Sequence, residues 1–179
     1  NVDKVYATIH GKTDDSQLCF SSEEMYRQIE SYIVDNIGEK GSSRFVIAPD
    51  DTPYACTCAT CTALGNTEKN ATPAVTELIL RLSQRFSKHT FFTTSYLTTQ
   101  QVTNKQLPPN VGVIVSTIDY PLRRTDGKDE QDKKFAEQLD NWKKVTNNIY
   151  IWDYINNFDD YLTPFPILKI AQQRLQLFK

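Results

Sequence analysis

The sequence predicts an α/β fold built from parallel βα units. Short runs rich in Val, Ile, Phe, Tyr and Thr alternate with stretches of helical periodicity. Two of these runs, Arg44–Ala48 and Val111–Thr117, are mostly apolar on both faces, as strands covered on both sides of a parallel sheet are. No repeat, linker or low-complexity run divides the chain. Its 179 residues therefore indicate one α/β unit, residues 1–179.

Five β-rich runs are the predicted strands. They are Val5–Ile9, Arg44–Ala48, Thr90–Tyr96, Val111–Thr117 and Asn148–Asp153. The first is the weakest, because Gly11 follows it closely, so we expect either a strand of the sheet or a short hairpin arm.

Four helices are predicted between and after these strands. Ser21 and Glu24 form a capping box, and Thr72-Pro73 gives an N-cap followed by Pro at the first helical position. His89, at the end of the second helix, is predicted to cap its C-terminus. The apolar stripes are Met25, Ile29, Ile33 and Ile37; Val75, Leu78, Ile79, Leu82 and Phe86; Phe135, Leu139 and Trp142; and Ile167, Ala171, Leu175 and Phe178.

Two architectures fit four or five βα units in 179 residues. One is an open doubly wound sheet of about five strands. The other is part of a (β/α)8 TIM-type barrel, which needs about 250 residues. The last predicted helix runs through Leu175–Lys179 with no Gly, Pro or cap, whereas helices usually end with such a stop signal. This favours the barrel, and we expect the chain to be an excised portion of a larger barrel domain.

Composition and motifs exclude several classes of function. A formal net charge of −2 argues against a nucleic-acid-binding protein. No apolar run is long enough for a transmembrane segment. The 6 glycines form no G-x-G-x-x-G motif, which excludes dinucleotide binding through that fingerprint.

The four cysteines are the most specific chemical feature of the sequence. Cys56, Cys58 and Cys61 form C-x-C-x-x-C in the segment that follows the predicted strand Arg44–Ala48, and Cys19 is a candidate fourth member. Thiolates at this spacing can converge on one structural zinc ion. Two disulfides, with three possible connectivities, and a C-x-x-C redox pair are the alternatives. No nearby His or cation supports a catalytic role.

Carboxylates lie at the ends of three of the predicted strands. Strands of a parallel sheet end on one side, so these acids can converge on one cleft, and paired carboxylates are what glycoside hydrolysis requires. The candidate catalytic residues are Asp50, Asp51, Asp119 and Asp153. For each of them, an N-cap or a loop hydrogen bond is the alternative.

Aromatic residues near the strand ends are candidate sugar contacts. Flat aromatic side chains can pack against the apolar face of a sugar ring. The candidate substrate-binding residues are Trp152, Tyr154 and Tyr96. Burial in the core is the alternative for such residues.

Several motifs together resemble the domain-of-unknown-function family 4838. They are Gln17–Ser21, Cys56–Cys61 behind Asp50-Asp51, the Asn70–Phe86 helix after Leu64-Gly65-Asn66, and Tyr150–Pro166. The resemblance extends from about Asp3 to Lys179. It implies an exported protein, periplasmic or at the cell surface, of polysaccharide-degrading bacteria. It also implies a glycoside-hydrolase-superfamily barrel distantly similar to α-glucuronidases, and it supplies no catalytic residues.

Three functions follow as hypotheses. The first is part of the catalytic barrel of a glycoside-hydrolase-like protein that acts on an oligosaccharide or polysaccharide, inactive without the rest of the parent protein. The second is a non-catalytic glycan-binding or scaffold barrel. The third is a structural module stabilised by zinc or disulfides, with no enzymatic role.

Overall fold

The computed structural model describes residues 4–118, 130–154, 160, 162–164 and 167–178. It confirms the α/β class. The strands are β1 (Tyr6–Ile9), β2 (Lys12–Leu18), β3 (Arg44–Val46), β4 (Thr90–Ser95), β5 (Val111–Ser116) and β6 (Ile149–Trp152). The helices are α1 (Glu23–Asn36), α2 (Ala59–Leu64), α3 (Thr72–Arg85), α4 (Glu130–Lys143) and α5 (Leu168–Leu177).

The first predicted strand is a hairpin arm. Strands β1 and β2 pair antiparallel and form a separate two-stranded sheet. The turn between them uses His10 (φ 50°) and Gly11 (φ 78°), and the second of these positive values is one that glycine adopts readily. The hairpin therefore lies outside the parallel sheet.

The other four strands form one parallel sheet in the order β3-β4-β5-β6. Each strand pairs with the next one along the chain, with Val46 opposite Phe92 and Ser116 opposite Trp152. A doubly wound sheet reverses its strand order part of the way across. Among the described strands the order does not reverse, and this arrangement is typical of consecutive units in a β/α barrel.

One face of the parallel sheet is packed and the other is open. Phe91 and Val113 on the packed face have no exposed surface, and they belong to a core that includes α3 and α4. On the opposite face Val46 and Trp152 are each 55% exposed and Tyr150 is 45% exposed. The prediction that Arg44–Ala48 is covered on both sides is therefore wrong for the described residues. Parallel sheets are usually covered on both faces.

The helix starts differ from the prediction by one residue. Ser22, not Ser21, is the N-cap of α1, and its hydroxyl accepts the Met25 backbone N–H at 3.2 Å. Ala71 is the N-cap of α3, and Thr72 begins the helix, with its N–H donated to the Asn70 side chain. In both places a neighbouring side chain makes the local hydrogen bond, which the spacing of residue types does not determine.

The predicted apolar stripes are confirmed for α3 and α4 but only partly for α1 and α5. Met25 and Ile33 are buried, whereas Ile37 is 39% exposed at the end of α1. In α5, Leu175 is 63% exposed, and the charged residue beside it, Arg174, is buried instead.

His89 does not cap the C-terminus of α3 as predicted. Its ring is fully buried, and Nδ1 accepts the Ser43 backbone N–H at 3.1 Å. Its Nε2 lies 2.8 Å from the Gly38 carbonyl oxygen. The side chain thus connects the segment before β3 to the start of β4, because both of its partners precede β3. Across the described residues, no helix is long and apolar enough to cross a membrane.

Candidate functional site

The carboxyl ends of the parallel strands bring several of the predicted site residues to one edge of the sheet. Asp50 and Asp51 lie in the loop after β3, Tyr96 directly follows β4, and Asp153 directly follows β6. In α/β proteins this edge is where ligands bind. We call it the carboxyl edge. Asp119 lies outside the described residues.

Asp51 and Tyr96 contact each other at the carboxyl edge. The Tyr96 hydroxyl donates a hydrogen bond of 2.9 Å to Asp51 Oδ1. The two residues come from loops that follow adjacent strands, β3 and β4. Asp51 is exposed, so its carboxylate remains accessible from solvent while one oxygen is held by the phenol. The pair combines a carboxylate with an aromatic ring.

The side chain of Gln17 binds the backbone of the loop that carries Asp50 and Asp51. This side chain is 1% exposed. Its Oε1 accepts the Asp50 backbone N–H at 3.1 Å, and its Nε2 donates to the carbonyl oxygens of Asp50 and Tyr54, at 3.3 Å each. A buried amide that meets both donors and acceptors fixes the backbone of the loop. The exposed Asp51 side chain is therefore attached to an ordered support.

Asp153 is engaged in a structural interaction. Its Oδ1 forms an ion pair with the Arg174 guanidinium and accepts the Thr117 hydroxyl at 2.6 Å. The same oxygen accepts the Tyr154 backbone N–H at 2.9 Å. Arg174 is 1% exposed, whereas the Asp153 side chain is 20% exposed. These contacts connect the ends of β5 and β6 to α5.

The two remaining aromatic candidates also lie near the end of β6. Trp152 points from the open face of the sheet and is 55% exposed. Tyr154 is partly buried beside Asp153. Trp152 is therefore the candidate aromatic side chain with the largest surface available to a ligand at the carboxyl edge.

The four cysteine sulfurs form one cluster. All four Sγ atoms lie within 4.8 Å of one another. Cys19 Sγ is 3.8 Å from the Sγ atoms of both Cys58 and Cys61, and all four residues are free cysteines. The cluster joins the end of β2 to the loop before α2 and to α2 itself. The structure thus brings together the four residues that the sequence grouped.

Polar groups surround the cysteine cluster. The Thr8 backbone N–H donates to Cys56 Sγ at 3.2 Å, and the Cys61 N–H donates to Cys58 Sγ at 3.5 Å. The Ser21 hydroxyl lies 3.1 Å from Cys61 Sγ and 3.4 Å from Cys19 Sγ. N–H and O–H groups of this kind stabilise negative charge on sulfur.

The thiols also affect one another's ionisation. Hydrogen bonds from Cys56 and Cys61 hold the pKa of Cys19 far below its usual range. The same interactions, made with a Cys19 thiolate, raise the pKa of Cys56 and of Cys61. Thiols this close to one another therefore titrate as a group rather than singly.

Three contributors to these sites were missed by sequence reasoning. Gln17 was noted only as part of a motif, Ser21 only as a motif residue and as a helix cap, and Arg174 was not considered. A polar residue two positions before Cys19, within the quoted motif, was a usable signal for Gln17. An arginine next to the apolar stripe of a predicted helix gives no such signal, because most arginines in that position face solvent.

Comparison with known families gives a match over nearly the whole chain. Residues 3–179 match the family described as Domain of unknown function (DUF4838). None of the curated proteins and none of the solved structures compared with the chain matches it. The match covers nearly the whole chain, including the cysteine cluster and the carboxyl edge. The chain belongs to the DUF4838 family.

Proposed function

We propose that this chain is part of a carbohydrate-active (β/α)8 barrel in an exported protein, and that its carboxyl edge contacts an oligosaccharide. The observation that carries the proposal is the Asp51–Tyr96 pair, formed at the carboxyl ends of two adjacent parallel strands. A carboxylate can accept hydrogen bonds from sugar hydroxyls, and a neighbouring aromatic ring can pack on the sugar.

The open face of the sheet supports the barrel part of the proposal. In a closed barrel, one face of every strand points inwards and packs against the other strands. The exposed apolar side chains on this face, Val46, Tyr150 and Trp152, are suited to such packing. The consecutive strand order is also the one that a barrel requires.

Hydrolysis by paired carboxylates is the first form of the proposal. Asp51 is the carboxylate that we assign to it, because it is exposed and oriented by Tyr96. Tyr96 is the positioning residue that holds one oxygen of Asp51. The other oxygen would act as a base towards water or as a nucleophile towards the sugar.

Glycan binding without hydrolysis is the second form. The Arg174–Asp153 ion pair favours binding without hydrolysis, because one of the predicted catalytic carboxylates is already paired with a buried guanidinium. Asp153 Oδ1 is already bound by the Arg174 guanidinium, the Thr117 hydroxyl and the Tyr154 backbone N–H. The second carboxylate of a hydrolytic pair would then have to come from another position.

The test compares Asp51→Asn and Tyr96→Phe in the complete protein with the unchanged protein. Binding and release of reducing ends are measured on neutral and uronic-acid-bearing oligosaccharides. We expect Asp51→Asn to weaken binding, and to abolish turnover if the protein hydrolyses any of them. Tyr96→Phe should lower turnover less than Asp51→Asn does.

Asp35→Asn, an exposed carboxylate on α1, is the matched control. It should change neither binding nor turnover. Binding and turnover that are the same in Asp51→Asn as in the unchanged protein would refute the assignment of Asp51. Failure of the unchanged protein to bind any glycan would refute the proposed function itself.

A further inference from the structure

The cysteine cluster suits a metal ion better than it suits disulfides. A disulfide needs an S–S distance of about 2.05 Å, and Cys19 Sγ is 3.8 Å from the Sγ atoms of both Cys58 and Cys61. Zinc binds thiolates at about 2.3 Å, and four ligands in a regular tetrahedron then lie about 3.8 Å from one another. The two Cys19 separations agree with that tetrahedral edge, and all the sulfurs lie within 4.8 Å of one another.

We infer that Cys19, Cys56, Cys58 and Cys61 together bind one zinc ion in a closed, structural site. All four sulfurs lie within 4.8 Å of one another, so a single ion can reach each of them after small side-chain adjustments. Three of the cysteines are buried and Cys58 is partly buried. Four protein ligands leave no position for water or substrate, which is the mark of a structural site rather than a catalytic one.

The surroundings of the sulfurs match those of a bound thiolate. Zinc–thiolate sites carry excess negative charge, and outer-shell donors commonly offset it. Here the Thr8 and Cys61 backbone N–H groups donate to Cys56 and Cys58, while the Ser21 hydroxyl lies against Cys19 and Cys61. Cys56 and Cys58 therefore each accept a backbone N–H, and the Ser21 hydroxyl is placed to donate its single hydrogen to Cys19.

The inferred ion would fasten two separate parts of the chain. Cys19 directly follows the hairpin, whereas the other three ligands follow the Asp51 loop. The same two parts are joined by Gln17, which precedes Cys19 by two residues and binds the backbone of Asp50 and Tyr54. The zinc site therefore positions the carboxyl-edge loop without contacting a ligand there. The inference stands independently of the proposed glycan function.

The first experiment measures metal in the full chain purified under reducing conditions. We expect one zinc ion per chain by elemental analysis, released as four thiols react with a mercurial reagent. Replacement of zinc by Co²⁺ should give the visible absorption of a tetrahedral thiolate complex. Iron in place of zinc, or no metal with either four free thiols or none, would overturn the inference.

The second experiment tests the ligands with variants. Cys58→Ser, at the partly buried ligand, should lose more than about 100-fold in zinc affinity, beyond what loss of an outer-shell partner costs. Thr60→Ala, an exposed neighbour on α2, is the matched control and should keep one zinc ion. Full zinc affinity in Cys58→Ser would overturn the four-ligand site.

The third experiment separates loss of the site from general unfolding. Removal of zinc with a strong chelator should abolish hydrogen-exchange protection of the Thr8 and Cys61 amides. Protection in β5, at the centre of the described sheet, should persist. Unchanged protection at Thr8 and Cys61 would show that no metal holds the hairpin to the loop.

Discussion

Replacement of Asp153 by Asn distinguishes a structural role from a catalytic one. The substitution keeps the shape of the side chain but removes its charge from the ion pair with the buried Arg174 guanidinium. Loss of one partner from a buried ion pair costs about 3–5 kcal/mol. Because Asp153 is 20% exposed and Asn still offers one acceptor oxygen, we expect the lower end of that range, about 3 kcal/mol.

A loss of this size is measurable by thermal denaturation. For a chain of this length each kcal/mol corresponds to about 2–4 °C, so we expect Tm to fall by about 6–12 °C. Asp140→Asn is the matched control, because Asp140 lies 3.6 Å from Lys143 in an exposed pair. Its effect should stay below about 0.5 kcal/mol.

A double substitution tests the physical reason. Asp153→Asn combined with Arg174→Met removes both charges, so the pair should cost less than the sum of the two single changes. A Tm for Asp153→Asn equal to that of Asp140→Asn would refute the reasoning. Strict additivity of the two changes would refute it as well. In either case Asp153 would return as a candidate for chemistry at the carboxyl edge.

Two further predictions concern packing and pH. Gly112→Ala should destabilise the sheet by about 3 kcal/mol, measured by urea denaturation. The new Cβ would lie 2.7 Å from Phe92 Cε1 and overlap the Asn148 carbonyl oxygen. A variant of normal stability would show that β5 and β6 can separate freely. Hydrogen bonds from Arg81 lower the pKa of Glu23, so their contribution to stability is present above the ordinary value of 4.5 and is lost as the pH falls through the lowered value. Both side chains are well exposed, so the contribution is below about 1 kcal/mol, and Glu23→Gln should flatten the acid side of the stability profile by that amount.

Hydrophobic periodicity predicted the long elements well and missed the short or polar ones. The stripes of α3 and α4 are visible in the sequence because each helix buries one face. Strand β2 was missed because its residues are mostly polar and exposed, so no alternation marks it. Helix α2 was missed because six residues are too few to show a helical period.

The two parts of the candidate site differed in how far the sequence revealed them. The cysteines were predicted to converge because three of them lie within six residues and thiols have few roles in such a spacing. The partner of Asp153 was not predictable, because Arg174 lies 21 residues away on a helix. The start of α1 was placed one residue early, because Ser21 and Ser22 are adjacent and only their surroundings decide which one caps.

The attachment of the hairpin has a consequence for the order of folding. Thr8 and Cys56, whose backbone N–H and sulfur meet, are 48 residues apart in sequence. A contact this distant requires the closure of a long loop, and such contacts form slowly. We therefore expect the βα units around β4 and β5 to assemble first and the hairpin to dock last. Refolding followed at Trp142, buried against β4, should then finish before the amides of the hairpin become protected.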